Sequence, residues 1–167
     1  MDKYEFNIKA EQMRKMAEQG DYKTAMQIAD TIDWRRVRNA NLLSYVADIY
    51  EHNSEYEEAK DILLLAFERA PVGKRFLYKL AEISVKAGDL QDAQEFYHEF
   101  CEMSPDDSRQ FLLRYLILKA KGASAEQLIA PLEEYTSEEV DEEWLYTLAK
   151  LYSEAGCCLL YTSDAAD

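Results

Sequence analysis

Residues 77–100 read LYKLAEISVKAGDLQDAQEFYHEF, and this stretch decides the fold. Before the glycine, Leu77, Leu80 and Ala81 fall at the i, i+3, i+4 spacing of one helix face. After it, Ala93, Phe96, Tyr97 and Phe100 do the same. Two amphipathic helices therefore meet at Gly88-Asp89. Glycine closes a helix in the left-handed region without a Cβ penalty, and the aspartate can cap the next helix's free N–H groups. The pattern recurs along the chain. Gly20, Gly88, Gly122 and Gly156 are separated by multiples of 34 residues, and Ser54, small and turn-tolerant, holds the vacant mark. Pro71 and Pro105 keep the same interval, as do Ala25, Ala59 and Ala93. A fixed period of this length marks a solenoid of helix–turn–helix units rather than a globular enzyme.

On this ruler the units start at Phe6, Ala40, Lys74, Ser108 and Glu142. The second unit repeats the apolar stripe with Leu43, Val46, Ala47 and Tyr50, then Ala59, Ile62, Leu63, Ala66 and Phe67. Ala47, Ala59, Ala81 and Ala93 are expected where two helices cross most closely, because a larger side chain would push the axes apart. Pro71 and Pro105 are expected to stop the second helices. The fourth unit departs from the pattern: Gln127 replaces the alanine, and Pro131 falls inside the second helix after a Ser124 cap, which predicts a kink or restart near Ala130. The fifth unit has Leu145, Leu148-Ala149 and Tyr152, with Gly156 expected to end its first helix and its second helix missing.

These positions resemble the tetratricopeptide repeat family, whose pattern has a large apolar residue, Leu-Gly/Ala, Tyr, Gly-Asp/Glu-Tyr, two alanines and a proline. Unit two supplies Leu43, Val46-Ala47, Tyr50, Glu55-Tyr56, Ala59, Ala66 and Pro71; unit three supplies Leu77, Leu80-Ala81, Gly88-Asp89, Ala93 and Pro105, with Ser84 in place of Tyr. Unit one keeps Gly20-Asp21-Tyr22 and Ala25 behind a more polar first helix. The resemblance implies an all-α, right-handed superhelical solenoid of antiparallel helix pairs, with about four and a half repeats. It also implies that first helices line a concave face that holds a protein or peptide. Counted out on that face are Asn41, Ser44, Tyr45, Asp48 and Glu51, then Arg75, Tyr78, Lys79, Glu82 and Lys86, then Arg109, Leu112, Leu116 and Lys119. Arg14, Asn41, Arg75, Tyr78, Lys79, Lys86 and Arg109 are the candidate binding residues, suited to an acidic peptide or a terminal carboxylate. The bland alternative is charge pairing with Asp48, Glu51 and Glu82. Family members that clamp chaperone C-termini use five Lys, Asn and Arg groups. Those positions hold Ala10, Arg14, Tyr45, Arg75 and Lys79, and only Arg75 and Lys79 carry the required charge at the required place.

The chain carries 19 basic and 33 acidic residues, a net charge of −14. Residues 1–39 are the exception, with eight basic and seven acidic groups, while acids crowd residues 133–143. Such a balance repels phosphate backbones and anionic lipid, so neither nucleic acid nor a membrane is an expected partner. Residues 158–167, CLLYTSDAAD, resemble an in-frame translation of sequencing-library adapter; the repeat domain is therefore read as residues 1–157, with native sequence expected to continue beyond it. Cys101 and Cys157 alone remain, too few for a disulfide framework or a zinc site. No secretory signal or apolar run of membrane-spanning length is visible, and a cytoplasmic, bacterial-type protein without cofactor is expected.

Catalytic constellations are scarce. Glu95-Phe96-Tyr97-His98 is one Glu-x-x-His without a second copy, which reads as a solvated helix face rather than a metal site. His52 reads as structural. Trp34 with Arg35, Arg36 and Arg38 is the one basic cluster, where a packed indole with arginines paired to nearby acids is expected. The expected function is a non-enzymatic scaffold or adaptor. The alternative is a recognition arm of a larger enzyme or transcription regulator.

Overall fold

The computed structural model describes residues 1–70 and 73–164, with side chains through residue 156. The helix stop expected at Pro71 lies outside the described residues, as do the side chains of residues 157–167, where the adapter resemblance falls. The chain divides into two compact units, Met1–Ala87 and Gly88–Asp167.

The first unit contains α1 (Lys3–Glu18), α2 (Tyr22–Ala29), a short 3₁₀ turn (Trp34–Arg36), α3 (Ala40–His52), α4 (Tyr56–Arg69) and α5 (Lys74–Ala87). Each helix packs on the next in sequence. The predicted starts at Ala40 and Lys74 coincide with the first residues of α3 and α5. Gly20 and Ser54 close the two complete hairpins in the left-handed region, at φ 81° and 62°. Both turns share a hydrogen-bond signature: Gly20 N donates to Ala17 O and Asp21 N to Met16 O, while Ser54 N donates to Glu51 O and Glu55 N to Tyr50 O. These bonds occupy the last carbonyls of the first helix, which would otherwise lack partners. Asp21 then accepts from the Thr24 N–H at 3.0 Å, capping α2, and hydrogen bonding from the Thr24 side chain and backbone draws its carboxyl below the ordinary value.

Burial follows the predicted stripes. Ala25 and Ala59, the fourth residues of α2 and α4, are fully buried, as are Ala81 and, to within 1%, Ala47. Around them Met13, Leu43, Val46, Leu63, Phe76, Leu77 and Leu80 form the core. A polar tie runs between repeats: Tyr50 Oη donates to Asp30 Oδ1 at 2.8 Å. Burial and that bond push the phenol above its ordinary value. Asn53 Nδ2 donates to the Tyr22 carbonyl at 2.9 Å, and the His52 ring stacks on Tyr22 at 3.9 Å between centroids. His52 is structural.

One element of this unit departs from the period. α2 has 8 residues where α4 has 14. Past Ala29 the chain leaves the helix, and Trp34 folds back so that its indole Nε1–H donates to the Ala29 carbonyl at 3.0 Å. The ring is 5% exposed and meets Phe6 edge-on. The expected packed indole is present. Of its arginines, Arg35 pairs with Asp33 at 3.0 Å, whereas Arg36 and Arg38 have no ion pair among the described residues.

The second unit contains α6 (Leu90–Met103), α7 (Arg109–Ala120), α8 (Ala125–Glu138) and α9 (Glu142–Asp164). Asp89 caps α6 through the Asp92 N–H, Pro105 lies just beyond the end of α6, and Gly122 is left-handed at φ 77°. The Gly122-Ala123-Ser124 turn is one residue longer than Gly20-Asp21, which explains Gln127. The fourth residue of α8, at the buried place held elsewhere by alanine, is Leu128, 7% exposed. Gln127 instead closes a reciprocal cap: its Oε1 accepts from Ser124 N at 3.0 Å and its N–H donates to Ser124 Oγ. The restart expected near Ala130 is not found, since α8 runs unbroken from Ala125 to Glu138 with Pro131 inside it. The proline ring is fully buried, so apolar burial offsets the missing ladder bond. The end expected at Gly156 is also corrected, because α9 passes through it without a positive φ. Glycine permits a stop but does not impose one, and the residues after it, Cys157-Cys158-Leu159, offer no N-cap. Leu112, assigned above to the concave face, is buried with Tyr115, Leu128, Leu132, Tyr135, Leu148 and Leu151.

A Cβ at Gly122 would meet nothing within 4 Å, so the cost of a side chain there is conformational alone. Gly122→Ala is expected to lower stability by about 1–2 kcal/mol. Ser54→Gly is expected to raise it by up to about 1 kcal/mol, relief of left-handed strain exceeding the added entropy of the unfolded chain. Urea midpoints shifting in opposite directions for the two variants would confirm that the turn, not the side chain, sets both effects.

Candidate functional site

The first unit presents α1, α3 and α5 as its first helices, and six of the seven candidate residues stand on them. Asn41 lies in the first turn of α3, and Arg75, Tyr78, Lys79 and Lys86 follow one face of α5 at three- to four-residue spacing. The same face of α3 carries Ser44, Asp48 and Glu51. The structure joins the two rows rung by rung. Arg75 donates to Asn41 Oδ1. Lys79 Nζ lies 2.7 Å from Asp48 Oδ1 and 3.2 Å from Ser44 Oγ. Lys86 pairs with Glu51 and also approaches Glu82 at 3.9 Å. Charge pairing with Asp48, Glu51 and Glu82, the bland alternative, is thus the arrangement adopted.

These rungs differ in their electrostatics. Burial alone would lower the Lys86 ammonium, but its hydrogen bond to Glu51 and the Glu82 charge hold it above its ordinary value. Glu82 moves the other way for a carboxylate. Burial raises it, Glu51 and Asp48 add to the rise, and Lys86 and Lys79 offset only part of it. Desolvation is thus the main reason this carboxyl resists ionisation. Arg75 lies exposed, with its guanidinium 4.7 Å from the Phe76 ring centroid. Tyr78 is half-buried. Arg14, on α1, is exposed and has no ion pair among the described residues.

Arg109 belongs to the second unit and is tied down there. Its guanidinium reaches both Asp107 carboxylate oxygens, at 3.0 and 2.8 Å, and lies 5.8 Å from the Phe100 ring centroid. Glu95 accepts from Gln91 Nε2, and the His98 ring faces Gln94, so neither residue of the Glu-x-x-His is aimed at the other. Among the described residues no group of three or more His, Cys, Asp or Glu side chains could hold a metal ion, and no helix is long and apolar enough to cross a membrane.

Sequence spacing located the cations and, as the alternative to binding, the acids that pair with them, which stand on the neighbouring helix and on α5 itself. It missed a cleft of about 1050 Å³ between α1, the connector after α2 and the start of α3, lined by Arg14, Arg36 and Arg38 among others. The basic cluster around Trp34 was the only sign of it in the sequence.

The chain is similar to solved tetratricopeptide structures. It aligns with a tetratricopeptide repeat protein from Parabacteroides merdae at a TM-score of 0.76 and 16% identity, covering 98% of this chain and 64% of that one. MamA from Desulfovibrio magneticus RS-1 aligns at a TM-score of 0.64 and 14% identity, covering 89% and 86%. An O-GlcNAc transferase mutant of Thermobaculum terrenum aligns at 0.58 and 15%, over 78% of this chain and 25% of that one. The chain thus spans under two thirds of the Parabacteroides protein. No family model and no curated protein matches the sequence. At these identities the likeness establishes the fold, an all-α solenoid of tetratricopeptide-like helix pairs.

Glu82 supplies a pH signature for the polar face. Its folded carboxyl lies above the ordinary 4.5, so the folded chain holds this proton more tightly than the unfolded one. The stability linked to it is complete below the ordinary value and is lost as pH rises through the folded one. Glu82→Gln should therefore be more stable than the parent at neutral pH, with the difference closing in acid. Thermal denaturation across that range checks it, and a parent more stable at neutral pH would contradict the assignment.

Proposed function

We propose that this chain is a non-enzymatic adaptor that holds a protein or peptide segment on the first-helix face of its repeats. The α3–α5 ladder is the observation that carries this reading. Arg75, Lys79 and Lys86 are each held by a residue of the preceding repeat, so a ligand meets side chains already fixed in place and less ordering entropy opposes binding. Tyr78 and Asn41 add an aromatic surface and an amide beside them. Arg109 and its Phe100 contact offer a comparable anchor in the second unit. Because Asp48, Glu51 and Glu82 share the face with the lysines, the matching ligand carries both signs of charge rather than acids alone. That narrows the acidic segment expected from sequence.

A second reading makes these repeats the recognition arm of a longer enzyme or regulator. The alignment with only 25% of the O-GlcNAc transferase chain supports it, since the same fold there belongs to a much longer protein. Both readings place the same task on the same face.

A photo-crosslinking amino acid at Tyr78, compared with one at the exposed Glu58 of a second helix, tests the assignment in cells. Crosslinks to a partner from position 78 alone, abolished by Arg75→Glu with Lys79→Glu while far-UV circular dichroism is unchanged, are expected. Crosslinks that survive the double reversal would refute the role of this face.

A further inference from the structure

The cleft of about 1050 Å³ in the first unit is not part of the α3–α5 ladder. It opens where α2 stops after 8 residues and the chain takes a long connector before α3. Four exposed cations line it: Lys3 and Arg14 from α1, and Arg36 and Arg38 from the connector. None of the four makes an ion pair or a side-chain hydrogen bond among the described residues. On α5, by contrast, Arg75, Lys79 and Lys86 all have partners.

Acids do line the same cleft, but two are engaged. Asp2 accepts from Glu5 N at 2.8 Å as the cap of α1, and Asp33 pairs with Arg35. Only Glu11 is left to face the cations. Phe6, Ile32, Val37 and Leu42 supply apolar wall between them. A fitting ligand is therefore an acidic segment with an apolar residue in its midst.

The chain carries such a segment in its other unit. Between α8 and α9, Val140 is 93% exposed, the largest exposure among the large apolar side chains of the described residues. Acids flank it on both sides: Glu138 and Glu139 before, Asp141, Glu142 and Glu143 after. Glu139 accepts from Ser108 Oγ and Asp141 caps α9, while the carboxylates of Glu138, Glu142 and Glu143 make no bond among the described residues. The segment is short and anchored by a helix at each end, so little ordering entropy opposes its docking.

We propose that the cationic cleft receives the acidic segment of residues 138–143 from a second copy of this chain. Val140 lies against the apolar wall, and Glu138, Glu142 and Glu143 meet Arg36, Arg38, Arg14 and Lys3. Cleft and segment are different surfaces, so the contact either closes reciprocally between two copies or passes head to tail from copy to copy. The net charge of −14 opposes association at long range. At about 0.1 M salt the screening length is about 10 Å, which damps that repulsion but leaves contact pairs intact; at about 1 M it falls to about 3 Å and the pairs weaken. The proposal does not rest on the α3–α5 face.

Sedimentation velocity on the full chain at about 0.1 M salt tests it. Mean mass should grow with concentration to the dimer or beyond it. It should fall to the monomer in Arg36→Glu/Arg38→Glu, and equally in Glu142→Lys/Glu143→Lys, with circular dichroism unchanged in both. Mixing those two variants should restore association, because the native segment of one meets the native cleft of the other and the two reversed surfaces are again opposite in charge. A synthetic peptide of residues 133–143 should break the wild-type assemblies and supplies the same answer should a variant fail to fold. A wild-type chain that stays monomeric, or association unmoved by either reversal or by the peptide, would overturn the proposal.

Discussion

A helix pair of this kind depends on one backbone residue leaving the right-handed region at a fixed place. Gly20, Ser54, Gly88 and Gly122 do so at φ between 62° and 82°. At Gly20, Ser54 and Gly122 the reversal brings that residue's own N–H and the next one back onto the last turn of the helix just ended. With those bonds made, the second helix starts within two or three residues, and its fourth residue is delivered to the helix crossing. Ala25 and Ala59 are fully buried because of that delivery. The alanine stripe is thus downstream of the turn: a small residue is needed where the turn puts the two axes closest.

Fold legibility in the sequence followed how local the determining interactions are. The starts of α3, α5 and α9 fell on the 34-residue ruler because turn, cap and apolar stripe are all encoded within a few residues. Three features escaped. The short α2 depends on Trp34 returning to the Ala29 carbonyl, a tertiary contact that propensity does not anticipate. The register of α8 depends on one extra turn residue, which moves the buried place from position 127 to Leu128 and turns an apparent mismatch into a cap. At Gly156, the missing capping residue outweighs the glycine.

Site residues were legible as a row of charges on α5, but not as what those charges do. Whether a lysine is a free anchor or one half of an internal pair is decided by the helix beside it. Arg75, Lys79 and Lys86 are partnered, one of the two arrangements the sequence left open, whereas Arg36 and Arg38, expected to pair with nearby acids, have no ion pair among the described residues. Arg36 and Arg38 have acids close in sequence, yet Asp33 is already committed to Arg35. Exposed pairs on α3 and α5 contribute modestly to stability, on the order of 0–1 kcal/mol each, so their value lies in fixing side-chain positions.

The rungs between α3 and α5 connect residues 31 to 35 positions apart, close to one full period. A contact tied to the period belongs to the interval rather than to either residue. Insertion or loss of one or two residues inside a repeat would rotate every rung out of register at once. Duplication or excision of a whole 34-residue unit would carry turn, cap, crossing alanine and rung partner along together. The architecture is thus fragile to small changes in length and permissive to large ones, so a lineage built on it can change its reach by whole repeats without first losing its fold.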